Sequence, residues 1–438
     1  MSSRCCRPLA TLDLVDFDYS AKALALRQRL DAFIERFLLP YNAAWHHSVA
    51  QGVYPPPFMP DLKALARSEG LWNLFLPGLR ADEPGTPLSN LDYAPLAESM
   101  GRLPWASEVF NCSAPDTGNM ELLHLFATEQ QYAQWLAPLL QGTIRSAFAM
   151  SEPDVASSDP TNLQTAVRTD GDSLVINGRK WFITGALHPD CRLLIVMCRS
   201  AIDGAGKHAS HSMVLVPLQT PGIELLRNIP ILQHHSPEGH CEILFRDVRV
   251  PRANLLGREG EGFAMAQARL GPGRIHHCMR TIGQCELALA LMCERTLERR
   301  AFGKYLADFA NVQEWIAESR LEIDQARLLV LRSAWVLDQG DNARARIDVS
   351  AIKVVAARLQ TRVVNRAMQL FGAMGLSPDT PLAYFWTWGR AMQLLDGPDE
   401  VHLRTVARHE LDLARSHMGA TAAYFTTPEQ LQAEPHIR

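Results

Sequence analysis

Apolar and polar positions divide the chain into three stretches. In the first, Leu26, Leu30, Phe33, Ile34 and Phe37 recur at spacings of three and four, which puts them on one face of a helix. Pro55-Pro56-Pro57 breaks that pattern, a short helical run follows through Leu62, Leu65 and Ala66, and Pro84-Gly85 with Thr86-Pro87 marks a loop. Further helical windows cover 91–100, 120–126 and 130–140. From about residue 146 the pattern changes to short β-branched runs punctuated by turns. Strands are predicted at 164–168, 173–176, 181–184, 193–198, 213–217, 223–226, 242–245 and 248–250. Asp170-Gly171 and Asn177-Gly178 read as hairpin turns, because Gly and Asn tolerate the positive φ that tight turns need. From about residue 256 the helical period returns. Ile316, Ile323, Val330 and Leu337 fall seven apart, a seam for packing helix on helix. Gly257, Gly260 and Gly262 precede the first of these helices, and Gly372, Gly375, Pro378 and Pro381 interrupt the later ones.

The expected fold class is α+β: an N-terminal all-α domain over 1–145, a middle β-barrel over 146–255, and a C-terminal four-helix bundle with a tail over 256–438. The chain has 438 residues, 47% of them hydrophobic, which is enough for a sizeable core. A net charge of -4 argues against a nucleic-acid partner held by bulk charge. No apolar run is long enough for a membrane span, and the N-terminus lacks the features of a signal or transit peptide. The nine Cys are scattered, with no Cys-x-x-Cys pair, which suits reduced thiols in a cytoplasmic protein.

Several sites are excluded by spacing. No Gly-x-Gly-x-x-Gly follows a strand, Gly204-Ala205-Gly206-Lys207 lacks the spacing of a phosphate loop, and no Gly-x-Ser-x-Gly is present. The pairs His46/His47, His234/His235 and His276/His277 are adjacent residues, which point apart on a helix or strand, so no metal site is expected.

Four segments carry candidate chemistry. Residues 148–159 (Phe-Ala-Met-Ser-Glu-Pro-Asp-Val-Ala-Ser-Ser-Asp) gather small hydroxyl side chains at a Pro break and read either as a plain loop or as a close approach to a polar ring. In 177–185, Phe182 and Thr184 are two apart and so share one side of a strand, placed to stack on and hydrogen-bond a flat cofactor, or to pack in a core. Arg299-Arg300-Ala301-Phe302-Gly303-Lys304 reads as a basic helix end or as a phosphate clamp. The fourth pairs 367–375 with 394–402. There, Asp396 follows an apolar run, where burial would raise its pKa and make it a stronger base; the alternative is that it caps the following helix.

Together, in this order, the segments resemble the acyl-CoA dehydrogenase family from about residue 20 to 415. Residues 148–159 look like its Thr/Ser-Glu-Pro segment, 177–185 like its Asn-Gly-x-Lys-x-Trp-Ile-Thr segment, and 299–304 like its Arg-x-x-Phe-Gly-Lys segment. Gln369–Gly375 and Asp396-Gly397 look like its last helix motif and base-bearing loop. Residues 271–280, 315–320 and 396–402 are similar to the branch whose animal members add a kinase-like domain, for which this chain is too short.

The resemblance implies FAD between barrel and bundle and a homo-oligomer, dimer or tetramer. It implies Met150, Ser151, Phe182, Ile183 and Thr184 around the isoalloxazine, and Arg299, Phe302, Gln369, Gly372 and Ala373 on the adenosine pyrophosphate across a subunit interface. It places Glu400 near the cofactor, and Ser157, Arg274 and Gly397 at the substrate. The implied reaction takes the α-proton of an acyl-CoA thioester to Asp396 and the β-hydrogen as hydride to flavin N5, with electron-transfer flavoprotein as acceptor. The implied substrate is a long, branched or 4-substituted acyl-CoA. An acyl-CoA oxidase or flavin monooxygenase, and a non-catalytic acyl-CoA or FAD binder, are the alternatives on the same scaffold.

The sequence departs from the family at several positions. Asp396 stands where Glu is usual. Gly273, beside Arg274, leaves empty the helix position that some subfamilies use for the base. Phe182 replaces Trp, Ala310 replaces Gln, and Pro398 and Glu400 replace Thr and Gln.

Overall fold

The computed structural model describes residues 18–200, 206 and 209–427. Cys5, Cys6, most of the Gly204–Lys207 run and the end of the tail lie outside the described residues. The chain opens with helices α1 (Ala21–Phe33), α2 (Asn42–Ala50), α3 (Met59–Ser68), α4 (Asn90–Gly101), α5 (Ala106–Val109), α6 (Asp116–Phe126), α7 (Glu129–Gln131) and α8 (Ala137–Gln141). The predicted face of α1 is real: Leu26, Leu30, Phe33 and Ile34 are buried. Ser20 starts that helix, its Oγ accepting the Ala23 N–H at 3.1 Å.

Among the described residues eight strands follow: β1 (Arg145–Ala149), β2 (Ala166–Asp170), β3 (Ser173–Thr184), β4 (Cys191–Ser200), β5 (His211–Pro217), β6 (Ile223–Asn228), β7 (His240–Pro251) and β8 (Leu255–Leu256). They form one sheet in the order β6-β7-β3-β2-β4-β5-β8, with β1 pairing parallel to β4. Strand β4 explains why the sheet reads as apolar runs. Leu194, Val196 and Cys198 enter the sheet's own core, while Leu193, Ile195 and Met197 join the helical core, so both faces are covered.

Two predicted turns have different outcomes. Asp170 pairs with Ser173 across Gly171 at φ +60°, the expected hairpin. Asn177-Gly178 is not a turn, because β3 runs straight through it with a register shift between Ile176 and Gly178. A Cβ on Gly178 would lie 2.4 Å from Thr165 Oγ1, so the glycine answers a close approach. The Asn177 amide instead bonds Asp247, donating to its carboxylate at 3.0 Å and accepting its N–H at 2.8 Å. The two runs at 242–245 and 248–250 are likewise one strand, and β1 was not predicted.

The third region holds α9 (Gly262–Glu298), a small hairpin of β9 (Arg300–Ala301) and β10 (Lys304–Tyr305), α10 (Ala310–Asp338), α11 (Asn342–Phe371), α12 (Leu382–Met392) and α13 (Asp399–Ser416). The seam holds: Ile323 and Val330 are core, with Ile316 and Leu337 packed against it. The expected fourth long helix is split into α12 and α13 by a turn carrying Asp396. Arg327 of α10 joins bundle to N-terminal helices, donating to both Glu98 carboxylate oxygens at 3.0 Å.

Candidate active site

A cavity of about 1380 Å³ opens where the sheet meets the bundle, larger than the roughly 300–1000 Å³ of an ordinary small-ligand pocket. One wall comes from the ends of β1, β3 and β7. Lys180 is fully buried beneath it. Its Nζ donates to Met150 O at 2.7 Å and to Glu152 Oε1 at 2.8 Å, while Glu152 also accepts the Gln164 and Thr165 N–H groups at 2.7 and 2.9 Å. Burial pushes the Glu152 carboxyl up, but Lys180 and these bonds outweigh it and hold it below its usual range. The Trp181 N–H donates to Ser151 O at 3.0 Å, so two of the candidate segments are fastened together through backbone.

Simple alternation does not place Phe182. Its φ is +52°, a register shift lies between Lys180 and Ile183, and both of those residues are buried. The bulge leaves Phe182 42% exposed on the cavity wall, beside Thr184. Thr184 Oγ1 lies 3.0 Å from His240 Nδ1. Burial pushes His240 down to about 4, so its ring is neutral, and its Nε2 is buried without a protein partner. Met150 and Ser151 also line the cavity, with Ile183 at its edge in the sheet core. Ser157 lines it too, with its Oγ accepting the Glu152 N–H at 2.9 Å.

The opposite wall is made by α9, α11 and the turn between α12 and α13. Asp396 and Gly397 both have left-handed backbones, with φ of +53° and +101°. The turn is fastened from three helices. Lys353 of α11 donates to Met392 O, Arg274 Nε of α9 donates to Asp396 O at 2.8 Å, and His402 Nε2 of α13 lies 3.3 Å from that oxygen. Both of the latter contacts use the Asp396 carbonyl, which leaves the carboxylate half-buried against the cavity. The capping alternative fails: α13 is preceded by Pro398 with no side-chain cap, and Asp399 pairs instead with Arg358 Nε at 2.9 Å.

The expected rise in the Asp396 pKa is reversed. Burial pushes the carboxyl up, but His277, Arg274, Arg269 and Lys353 around it outweigh burial and hold it below the usual aspartate value. Arg269 is pushed down to about 10 by burial and remains a cation, its guanidinium 4.0 Å from the Phe148 ring centre. Burial also pushes His402 down to about 4. Adjacent His276 and His277 do point apart: His276 packs edge-on against Tyr93, and His277 lines the cavity.

The remaining candidates lie elsewhere. Arg299, Phe302, Gln369, Gly372, Ala373 and Glu400 are exposed, and none of them lines the cavity within one chain. The 299–304 run starts at the end of α9, where Arg299 is the C-cap residue, and continues as the β9–β10 hairpin, with Phe302 and Gly303 at its tip at φ +52° and +84°. Phe302 is 97% exposed. Sequence reasoning passed over Lys180, His240, Arg269, Lys353 and His402. Lys180 falls between the strands predicted at 173–176 and 181–184, and only their fusion into one strand makes it a buried strand lysine.

Three family profiles match in order: "Acyl-CoA dehydrogenase, N-terminal domain" over residues 20–143, the middle domain over 147–248 and the C-terminal domain over 260–411. "Probable acyl-CoA dehydrogenase FadE2" of Mycobacterium tuberculosis is 53% identical over 411 residues, covering 93% of this chain and 99% of that protein. "Acyl-CoA dehydrogenase family member 11" of Gallus gallus is 49% identical over 403 residues, covering 90% of this chain but 51% of that protein, so the chain spans about half of its length. Among solved structures, one from Mycobacterium abscessus assigned as an acyl-CoA dehydrogenase superposes with TM-score 0.86 at 47% identity, covering 90% of this chain and 99% of that one. Butyryl-CoA dehydrogenase from Megasphaera elsdenii superposes with TM-score 0.76 at 26% identity, covering 90% and 100%.

Proposed function

Because this chain belongs to the acyl-CoA dehydrogenase family, we propose that it converts an acyl-CoA thioester into the 2-enoyl-CoA with Asp396 as the base that takes the α-proton. The observation that carries this reading is the Asp396 side chain facing a cavity of about 1380 Å³ whose opposite wall carries Phe182 and Thr184.

FAD is the family's cofactor, and the sheet wall suits a flat polar ring. It offers the exposed face of Phe182, the Thr184 hydroxyl, the backbone of Met150 and Ser151, and the unpartnered His240 Nε2. Once bound there, FAD supplies the acceptor for the hydride that leaves the β-carbon. The chain's own share is orientation and electrostatics. Asp396 takes the α-proton onto a carboxylate oxygen. Arg274 and His402 hold the backbone that aims it. Closing the site over a substrate expels water, which strengthens the field of the surrounding cations and desolvates the carboxylate.

Ser157, Arg274 and Gly397 line the substrate side of this reading. The charged wall suits a polar substituent on a long or branched acyl chain, including one at C4. Arg299, Phe302, Gln369, Gly372, Ala373 and Glu400 are proposed to meet the far end of FAD across a subunit contact. Phe302, an apolar ring almost fully in water, supports a covering partner chain in a dimer or tetramer. Electron-transfer flavoprotein is the proposed acceptor. Among the described residues no helix is long and apolar enough to cross a membrane.

The test is anaerobic mixing of the flavin-loaded protein with acyl-CoAs of varied length, branching and C4 substitution. Bleaching of the oxidised flavin with at least one is expected. A panel that leaves the flavin oxidised defeats the reading.

A further inference from the structure

We propose that His277 is a positioning residue for Asp396, its Nε2–H aimed at the carboxylate and its tautomer fixed by Arg280. This rests on the reading of Asp396 as the base. The two groups face each other across the cavity wall, with His277 Nε2 3.8 Å from Asp396 Oδ2. Behind the imidazole, Arg280 Nη2 lies 3.2 Å from His277 Nδ1. An arginine has only donors, so Nδ1 accepts and the ring proton of a neutral His277 resides on Nε2. Arg280 is itself anchored, Nη1 donating to Cys112 O at 3.4 Å.

Burial, followed by the Arg280 charge, lowers the His277 pKa, which keeps the ring neutral and unsuited to act as the base itself. The other charged and titratable groups around the pair are Arg269, Arg274 and Cys278 of α9, Lys353 of α11 and His402 of α13. Beside a neutral His277, the charges that hold Asp396 ionised are those of Arg274, Arg269 and Lys353, and His277 adds the dipole of its Nε2–H. A separation of 3.8 Å is too long for a hydrogen bond, but contacts of this kind are often long in ligand-free sites and tighten when substrate binds. The arrangement answers a specific need. A side chain one methylene shorter than glutamate reaches the α-carbon only from a narrower range of rotamers, and an N–H on one oxygen turns the other toward substrate. The α-proton still ends on Asp396; His277 changes no protonation state.

The test compares wild-type holoenzyme with His277→Phe, which has no donor, and His277→Gln, which keeps an Nε2–H at similar reach. His277→Leu serves as a second apolar variant, and retained flavin with an unchanged Tm shows intact folding. In His277→Phe, kcat/KM for anaerobic flavin reduction falls about 10–100-fold, and His277→Gln returns to within about threefold of wild type. The acid limb of kcat/KM moves to higher pH in the apolar variants only. In protein carrying 13C-carboxyl aspartate, the Asp396 resonance, identified by its loss in Asp396→Asn, titrates at higher pH in His277→Phe and reverts in His277→Gln. An unshifted titration in His277→Phe and His277→Leu overturns the proposal, as does His277→Gln as impaired as the apolar variants. The resonance is read without substrate, so an inert wild type defeats the dehydrogenase reading while the titration still decides the role of His277.

Discussion

Across the cavity, the wall formed by β1, β3 and β7 offers a ring, a hydroxyl and backbone, with the Lys180–Glu152 ion pair sunk beneath the surface. The wall formed by α9, α11 and the α12–α13 turn gathers several cations around one carboxylate. The first is shaped by a bulge and a positive φ at Phe182. The second is shaped by charge and by hydrogen bonds that three helices send into one turn. The contrast suits the two tasks proposed for them: a flat ring needs surface and a few donors, while proton removal needs a fixed charge in a fixed place.

The largest expected break in this comparison is on the charged wall. Asp396→Asn should slow anaerobic flavin reduction by about 10²–10⁴-fold, the range for a lost general base, while flavin absorbance per protein stays at the wild-type level. A rate within tenfold of wild type would move the base elsewhere. The matching break on the opposite wall is Lys180→Met, which strands Glu152 and should cost about 3–5 kcal/mol in urea denaturation, with weaker flavin retention. A loss below about 1 kcal/mol would mean the pair is not what holds that wall together.

A smaller effect sharpens the comparison. Gly397→Ala puts a Cβ 3.0 Å from His402 Nε2 at φ +101°, and strain of this kind costs about 1–3 kcal/mol. Turnover should drop while flavin binding stays intact, because only one wall is touched; equal loss of both would show that the walls are not independent. The smallest expected change is with pH. Asp396 is held below its ordinary pKa of about 4, so it is already ionised throughout the neutral range and loses its charge only as pH falls through that lowered value. The profile of kcat/KM, which reports the free enzyme, should therefore be flat from about pH 5 to 8. An inflection inside that window, measured by stopped-flow reduction, would contradict the charge balance described for the helix wall.

The three-part fold was legible because long helices and apolar strands repeat their periods many times. The α1 face and the α10 seam show this. Strand ends were less legible where bulges break the period of two. Asn177-Gly178 reads as a turn from its residue types alone; only Thr165 and Asp247, distant in sequence or across the sheet, reveal why those types are needed. The position of Asp396 on the cavity wall fits its place between an apolar run and Gly-Pro, but the sign of its pKa shift was not readable. Burial can be guessed from neighbours in sequence, whereas the opposing charges of Arg274, Arg269 and Lys353 arrive from two other helices. The Phe302 hairpin was missed because Phe-Gly at positive φ is an uncommon tip.

The fastening of the Asp396 turn from α9, α11 and α13 bears on how this chain can drift over generations. No single helix owns the Asp396 carboxylate, so a slip of any one along its axis drags the turn with it. Substitutions at Arg274, Lys353 and His402 should thus be tolerated as matched sets far more readily than one at a time.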